Sequence, residues 1–186
     1  MIDRRVGIVS AVLALLPATI VAQTPVPAEA SSAMEPLGWL AGRWSGDARH
    51  QGPGGAQILR QTEEVEKALD GSLLLVEGTG RELVEGDPGA VVFRAFAVLS
   101  AGDTPGSYRV AAWRDGRFVD AAAEIGEDGT FLWGFSTPDG GEVRYAIRQP
   151  EPGVWHEEGS YRPADGDAWR PFLDMRLRRE PAPASR

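Results

Sequence analysis

The sequence predicts an all-β fold: an antiparallel up-and-down barrel of about ten strands, preceded by one short N-terminal helix. Three observations carry this. Turn signals recur at short intervals, namely Asp70-Gly71, Asp87-Pro88-Gly89, Gly102 to Gly106, Asp115-Gly116, Asp128-Gly129, Asp139-Gly140-Gly141, Pro152-Gly153 and Asp165-Gly166. Between them lie segments of strand length, several alternating with period two. Short connections pair successive strands antiparallel, and a meander this long closes on itself to remove its edges.

The strands fall near residues 43–50, 57–69, 72–84, 90–100, 107–114, 117–125, 130–136, 142–149, 154–162 and 169–178. The alternation is clearest in the second half. Val143, Tyr145 and Ile147 share one face there, as do Phe131, Trp133 and Phe135 on the preceding segment. A two-sheet sandwich is the alternative, but Greek keys usually need a long crossing and no connection here is long enough. Pro36 to Ala41 is the only helix candidate, one turn with Pro near its start and Gly42 as its stop. It would plug one barrel end.

Residues 1–22 read as a secretory signal peptide. Arg4 and Arg5 form the positive start, Val6 to Leu16 the apolar run, and Ala22 the exit, with Ala30 as an alternative cleavage point. The run is too short to span a bilayer, so a periplasmic or secreted protein with no membrane attachment after cleavage is expected. Residues 23–35, rich in Pro, Ala and Ser, read as a disordered linker, and residues 181–186 as a disordered tail. The barrel domain is assigned to residues 36–180.

Composition narrows the chemistry. The chain has 186 residues, no cysteine, two histidines and a net charge of -8, which becomes -9 once Asp3, Arg4 and Arg5 leave. Disulfides, zinc-thiolate sites and a lipid-modified N-terminal cysteine are excluded. The acidic balance argues against nucleic acid and anionic membranes. Of the 19 basic residues only Lys67 is a lysine, set among Glu63, Glu64 and Glu66. It reads as a surface ion-pair member and those carboxylates as a solvated face.

The run from Leu37 to Gly46 carries a resemblance. Its Gly42-Arg43-Trp44 resembles the Gly-x-Trp opening of calycin barrels, the lipocalin group, in which a short helix leads into the first strand. The resemblance implies that Trp44 closes one barrel end beneath an arginine of the last strand, with Arg176, Arg178 or Arg179 as candidates and Arg176 and Arg178 preferred. More diffusely, Trp113-Arg114-Asp115-Gly116 and the run Asp174 to Arg179 resemble a family of uncharacterised bacterial lipocalin-like domains. The opening is also similar to nitrobindin-like haem barrels, which ligate iron through a histidine on the last strand. Here that strand has none, so no haem and no other cofactor is expected, and His156 is the only substitute in the barrel body.

No hydrolase elbow, Walker loop or His-Glu-x-x-His motif occurs, and no metal site is expected. Gly78-Thr79-Gly80 begins a phosphate-loop pattern but lies in a strand-like run. His156 and Glu158 share a strand face and read as an outer ion pair rather than acid–base machinery. No catalytic residue is assigned.

The aromatics are more suggestive. Trp113, Phe118, Trp133, Tyr145 and Trp155 fall on successive strands, and a barrel of about ten strands is wide enough to keep a cavity. Polar residues of matching parity, Asp120 and Glu157, with Arg94 and Asp174 as bolder choices, would orient a ligand there. The reading is an exported barrel that binds an apolar or planar small molecule, with its oligomeric state open. Two alternatives stand beside it: a calycin-type isomerase or hydrolase-like enzyme using a cavity carboxylate, and a solidly packed interaction or stress module. Cavity volume and the census of interior carboxylates separate the three.

Overall fold

The computed structural model describes residues 28–52 and 54–181, so the leader expected in residues 1–22 and the tail at 182–186 lie outside the described residues. Ten strands form one closed antiparallel barrel. They are β1 (Gly42–Gly52), β2 (Gly55–Ala68), β3 (Leu73–Val84), β4 (Asp87–Ala101), β5 (Ser107–Arg114), β6 (Arg117–Ile125), β7 (Phe131–Ser136), β8 (Glu142–Arg148), β9 (Val154–Arg162) and β10 (Arg170–Arg179). Each pairs with its successor, and β1 pairs with β10 to close the ring. No helix among the described residues is long and apolar enough to cross a membrane.

Two-residue reversals set the register. Asp115 (φ 50°) and Gly116 (φ 73°) are both left-handed and join β5 to β6 directly, as a turn matched to strand twist requires. The β3–β4 reversal corrects an expectation. It is made by Glu85 (φ 54°) and Gly86 (φ 93°), while Asp87-Pro88-Gly89 already belongs to β4. Two consecutive left-handed residues make the tighter hairpin, and Pro88, which has no N–H to donate, sits near the strand's first residue.

The N-terminal segment also departs from the sequence reading. Within the span read as a disordered linker, Ala28–Ala33 form a short α-helix, α1, while the single helical turn expected at Pro36 to Ala41 is a 3-10 turn over Glu35–Leu40. The cause is one apolar anchor. Met34, only 2 % exposed, packs with Leu37 and Leu40 into the barrel's end, and Tyr108 Oη donates to Ala33 O at 3.3 Å.

That end is sealed by tryptophan. Trp39, Trp44 and Trp155 meet edge to face with ring centres 5.8–6.1 Å apart, and the Trp44 indole N–H donates to Leu40 O at 2.7 Å. Trp44 faces Arg179 in the β1–β10 register, which puts the Arg179 guanidinium 4.2 Å from the centre of the Trp44 ring. The same guanidinium donates to the Ala41 and Trp39 carbonyls. Arg176 and Arg178, the preferred candidates for this role, are exposed instead. Arg178 has the opposite parity to Arg179, and Arg176 is an odd number of residues away from it, so both point outward. Gly42 is required twice over: its φ is +132°, and a Cβ there would lie 2.3 Å from Arg179 Nη1.

Candidate cavity site

Paired residues share a face, so the inner wall can be read off the register. From β3 to β6 it carries small groups, among them Gly78, Gly80, Ala95, Ala97, Ala112 and Ala121, whereas β7 to β10 contribute Phe131, Trp133, Phe135, Tyr145, Trp155 and Phe172. Small residues facing large ones leave a cavity of about 610 Å³. Its floor is Leu40 and Trp155, and its mouth is ringed by His50, Phe93, Arg114, Arg117, Phe135 and Phe172. Trp133 and Tyr145 stack on one wall with centroids 4.5 Å apart and planes inclined by 15°.

Two carboxylates project into this apolar space. Glu63 on β2 is 9 % exposed, and burial pushes its carboxyl up to about 7, against the opposing hydrogen bond from Gln61. Gln61 Nε2 donates to Glu63 Oε1 at 2.7 Å. Glu157 on β9 keeps some surface open, but that surface faces the cavity rather than bulk water. Burial, and then the negative charge of Glu63, lift its carboxyl to about 8 while the Trp155 indole acts in the opposite direction. Tyr145 is pushed up to about 12, first by burial and then by the charge of Glu157. At the mouth, His50 is lowered by burial and by Arg114 and is therefore largely neutral near pH 7.

The sequence takes a local measure to admit these side chains. Glu63 pairs with Gly78 and Gln61 with Gly80 on β3. A Cβ at Gly78 would lie 2.9 Å from both Glu63 carboxylate oxygens, and one at Gly80 would lie 2.9 Å from Gln61 Oε1. Gly78-Thr79-Gly80 is thus no phosphate loop. It is a notch across which a Gln-x-Glu pair lies.

The structure distributes the sequence-derived site residues over two faces. Trp133, Tyr145, Trp155 and Glu157 line the cavity. Arg94, Phe118, Asp120 and Asp174 lie on the outer wall, and Trp113, 43 % exposed, stands at the rim in a ladder with Phe96 and Phe118. Register decides this: Trp113 pairs with Phe118, while the neighbouring Ala112–Val119 pair faces inward. Asp120 takes an ion pair from Arg109. Asp174 accepts or shares a hydrogen bond with His156 Nε2 at 2.8 Å, and Glu158, the partner expected for His156, pairs with Arg148 at 2.7 Å. The imidazole on the cavity is His50, so His156 is not the interior substitute the sequence suggests.

Sequence reasoning misses Glu63, Gln61 and His50. Composition groups Glu63 with Glu64 and Glu66 as a solvated face, yet only Glu64, bonded to Arg43 at 3.0 Å, and exposed Glu66 behave that way. Lys67 is exposed and makes no ion pair among the described residues. A larger and more open depression of about 1010 Å³ is bordered by outer-wall residues together with Trp133 and Tyr145, and its Glu158 and Asp174 already have partners. No cluster of metal-ligating side chains occurs among the described residues.

No protein-family model and no curated protein sequence matches the chain. Solved structures do. Rv2717c from M. tuberculosis superposes with a TM-score of 0.62 at 13 % identity, covering 80 % of this chain and 98 % of its own. The S-type phycobiliprotein lyase CPES from Guillardia theta gives 0.55 at 12 % identity, covering 79 % and 92 %. At such identities the likeness is one of fold, and the fold is a closed ten-stranded calycin-like barrel.

Proposed function

We propose that this protein is an exported carrier of an apolar or planar small molecule, held inside the barrel. One observation carries the reading. The interior is not packed solid: a cavity of about 610 Å³ opens at one end and is sealed by tryptophan at the other, with stacked aromatic walls suited to a flat ligand. The volume lies within the range of small-molecule sites, roughly 300 to 1,000 Å³. The leader read in residues 1–22 assigns the carrier to the periplasm or the exterior, and the Gly-x-Trp opening groups it with the uncharacterised lipocalin-like bacterial domains.

Native mass spectrometry of protein purified from its own compartment tests the carrier reading. A small molecule of defined mass should travel with the chain, whose own mass should lack about 22 residues. An empty barrel that also takes up no naphthalene-type probe would count against it. A second reading rests on Glu63 and Glu157, since desolvated carboxyls titrating near neutrality suit general acid–base work on a bound substrate. It favours an isomerase over a carrier if the co-purified molecule is chemically converted on the protein.

A further inference from the structure

We infer that the ligand carries a basic nitrogen, and that its ammonium or N–H group sits in the cavity between Glu63, Glu157 and Gln61. This deepens the carrier reading and rests on it.

Three observations converge on that point. First, two carboxyl groups face one apolar space and sense each other's charge. Among the described residues the cavity's cationic side chains are Arg114 and Arg117, and both stand at its mouth. Arg114 is already engaged, bonded to Asp115 at 3.1 Å and lying 4.3 Å over the Phe93 ring. The acidic pair therefore has no internal counter-charge, an arrangement that costs free energy unless something else supplies one.

Second, hydrogen-bonding capacity is left open at the same place. Gln61 is 2 % exposed and lines the cavity, and its Oε1 has no hydrogen-bond partner among the described residues. Since Gln61 Nε2 is spent on Glu63, the free atom is an acceptor. Buried acceptors without donors are rare in native proteins. The Trp155 indole N–H beside Glu157 is also unpartnered, a single donor against two carboxyls and an amide oxygen, so acceptors remain in excess for a ligand's N–H groups.

Third, the backbone is adapted to hold the set in place. Gly78 and Gly80 remove the side chains that would collide with Glu63 and Gln61. Chance burial of a carboxylate does not explain two glycines in register with the two polar residues.

The remaining titratable groups on the cavity are His50, Tyr145 and Asp115. Free protein near pH 7 holds protons on the carboxyl pair. Docking of an ammonium ion stabilises the carboxylate form, so a proton passes to solvent as the ion pair forms.

The test uses three probes with one ring system: 1-naphthylmethylamine, 1-naphthylmethanol and 1-naphthylacetate, titrated calorimetrically at pH 7. The amine should bind at least about tenfold more tightly than the alcohol, the carboxylate weakest. Heats measured in two buffers of different ionisation enthalpy should reveal proton release for the amine alone. Glu157→Gln and Glu63→Gln should erase the amine's advantage over the alcohol. Equal binding of amine and alcohol, or an advantage that survives both substitutions, overturns the inference and leaves the carrier reading standing. Binding of none of the three overturns the carrier reading and the inference with it.

Discussion

The two ends of the barrel are built on opposite principles from the same strands. At the closed end Met34, Leu37, Leu40 and Trp44 are at most 2 % exposed, and the buried Trp44 indole N–H finds a carbonyl. Just above it, Glu63, paired with Trp44 across β1 and β2, and Glu157, two residues from Trp155, face apolar space beside Gln61, whose Oε1 is unpartnered. The closed end is packed apolar, with the Trp155 indole N–H its one buried polar side-chain atom left unpartnered among the described residues, whereas the cavity above it buries two carboxyls and an open amide oxygen. A region that departs from stability rules in several places at once is where ligand recognition is expected.

The sharpest way to break this comparison is Trp44→Ala. Removing a large aromatic from the sealed end should cost about 3 to 5 kcal/mol in urea melts. A loss under about 1 kcal/mol would mean the tryptophan cluster is not the stability centre.

Next in size is the response to pH. Glu63 and Glu157 titrate at about 7 and about 8 in the folded protein, against an ordinary value of 4.5. Between these values the folded chain holds more protons than the unfolded chain, so stability falls as pH rises from about 5 to about 8. The loss should be on the order of a few kcal/mol, since each tenfold difference in proton affinity between the folded and unfolded chain is worth about 1.4 kcal/mol and relaxation of the site recovers part of it. Denaturant melts across that window check it. The doubly substituted Glu63→Gln, Glu157→Gln protein should show a flattened profile and greater stability at pH 8. An unchanged profile would place the cost of the cavity elsewhere.

Smaller again is the arginine over Trp44. Arg179→Ala removes a cation–π contact and two donors to chain carbonyls, and should cost about 1 to 2 kcal/mol. Arg176→Ala and Arg178→Ala, both on the outer wall, should change stability by less than about 0.5 kcal/mol. Equal effects from all three would remove Arg179 from the seal.

The smallest expected effect is none. His156 belongs to the outer wall, so hemin titration followed at the Soret band should show only weak association, unaltered by His156→Ala. A one-to-one Soret shift lost in His50→Ala would instead give the mouth a haem-ligating role.

Much of the fold was legible in the chain. Period-two segments and Gly-bearing turns mark ten strands close to their observed limits, because hairpin geometry is decided by neighbouring residues. Gly42 and Trp44 were legible through their pattern. The site was less so, because parity around a closed ring depends on register, and one residue of slippage turns a side chain from cavity to solvent. Thus Phe118 lies outside and Trp113 only reaches the rim, though both are apolar and well spaced, while Glu63, indistinguishable by composition from Glu64 and Glu66, lies inside.

By itself, the sequence determined an all-β meander, its turns, a glycine-tryptophan opening and a core sufficient without disulfides, since each follows from local conformational preference and composition. Tertiary structure alone decided which arginine covers Trp44, which carboxylates lose their water, and why Gly78 and Gly80 stand where they do. These depend on pairing between strands and on burial at a distance in sequence. The pairing of Gln61 and Glu63 with those two glycines is written in the chain, but only the β2–β3 register brings the four residues together.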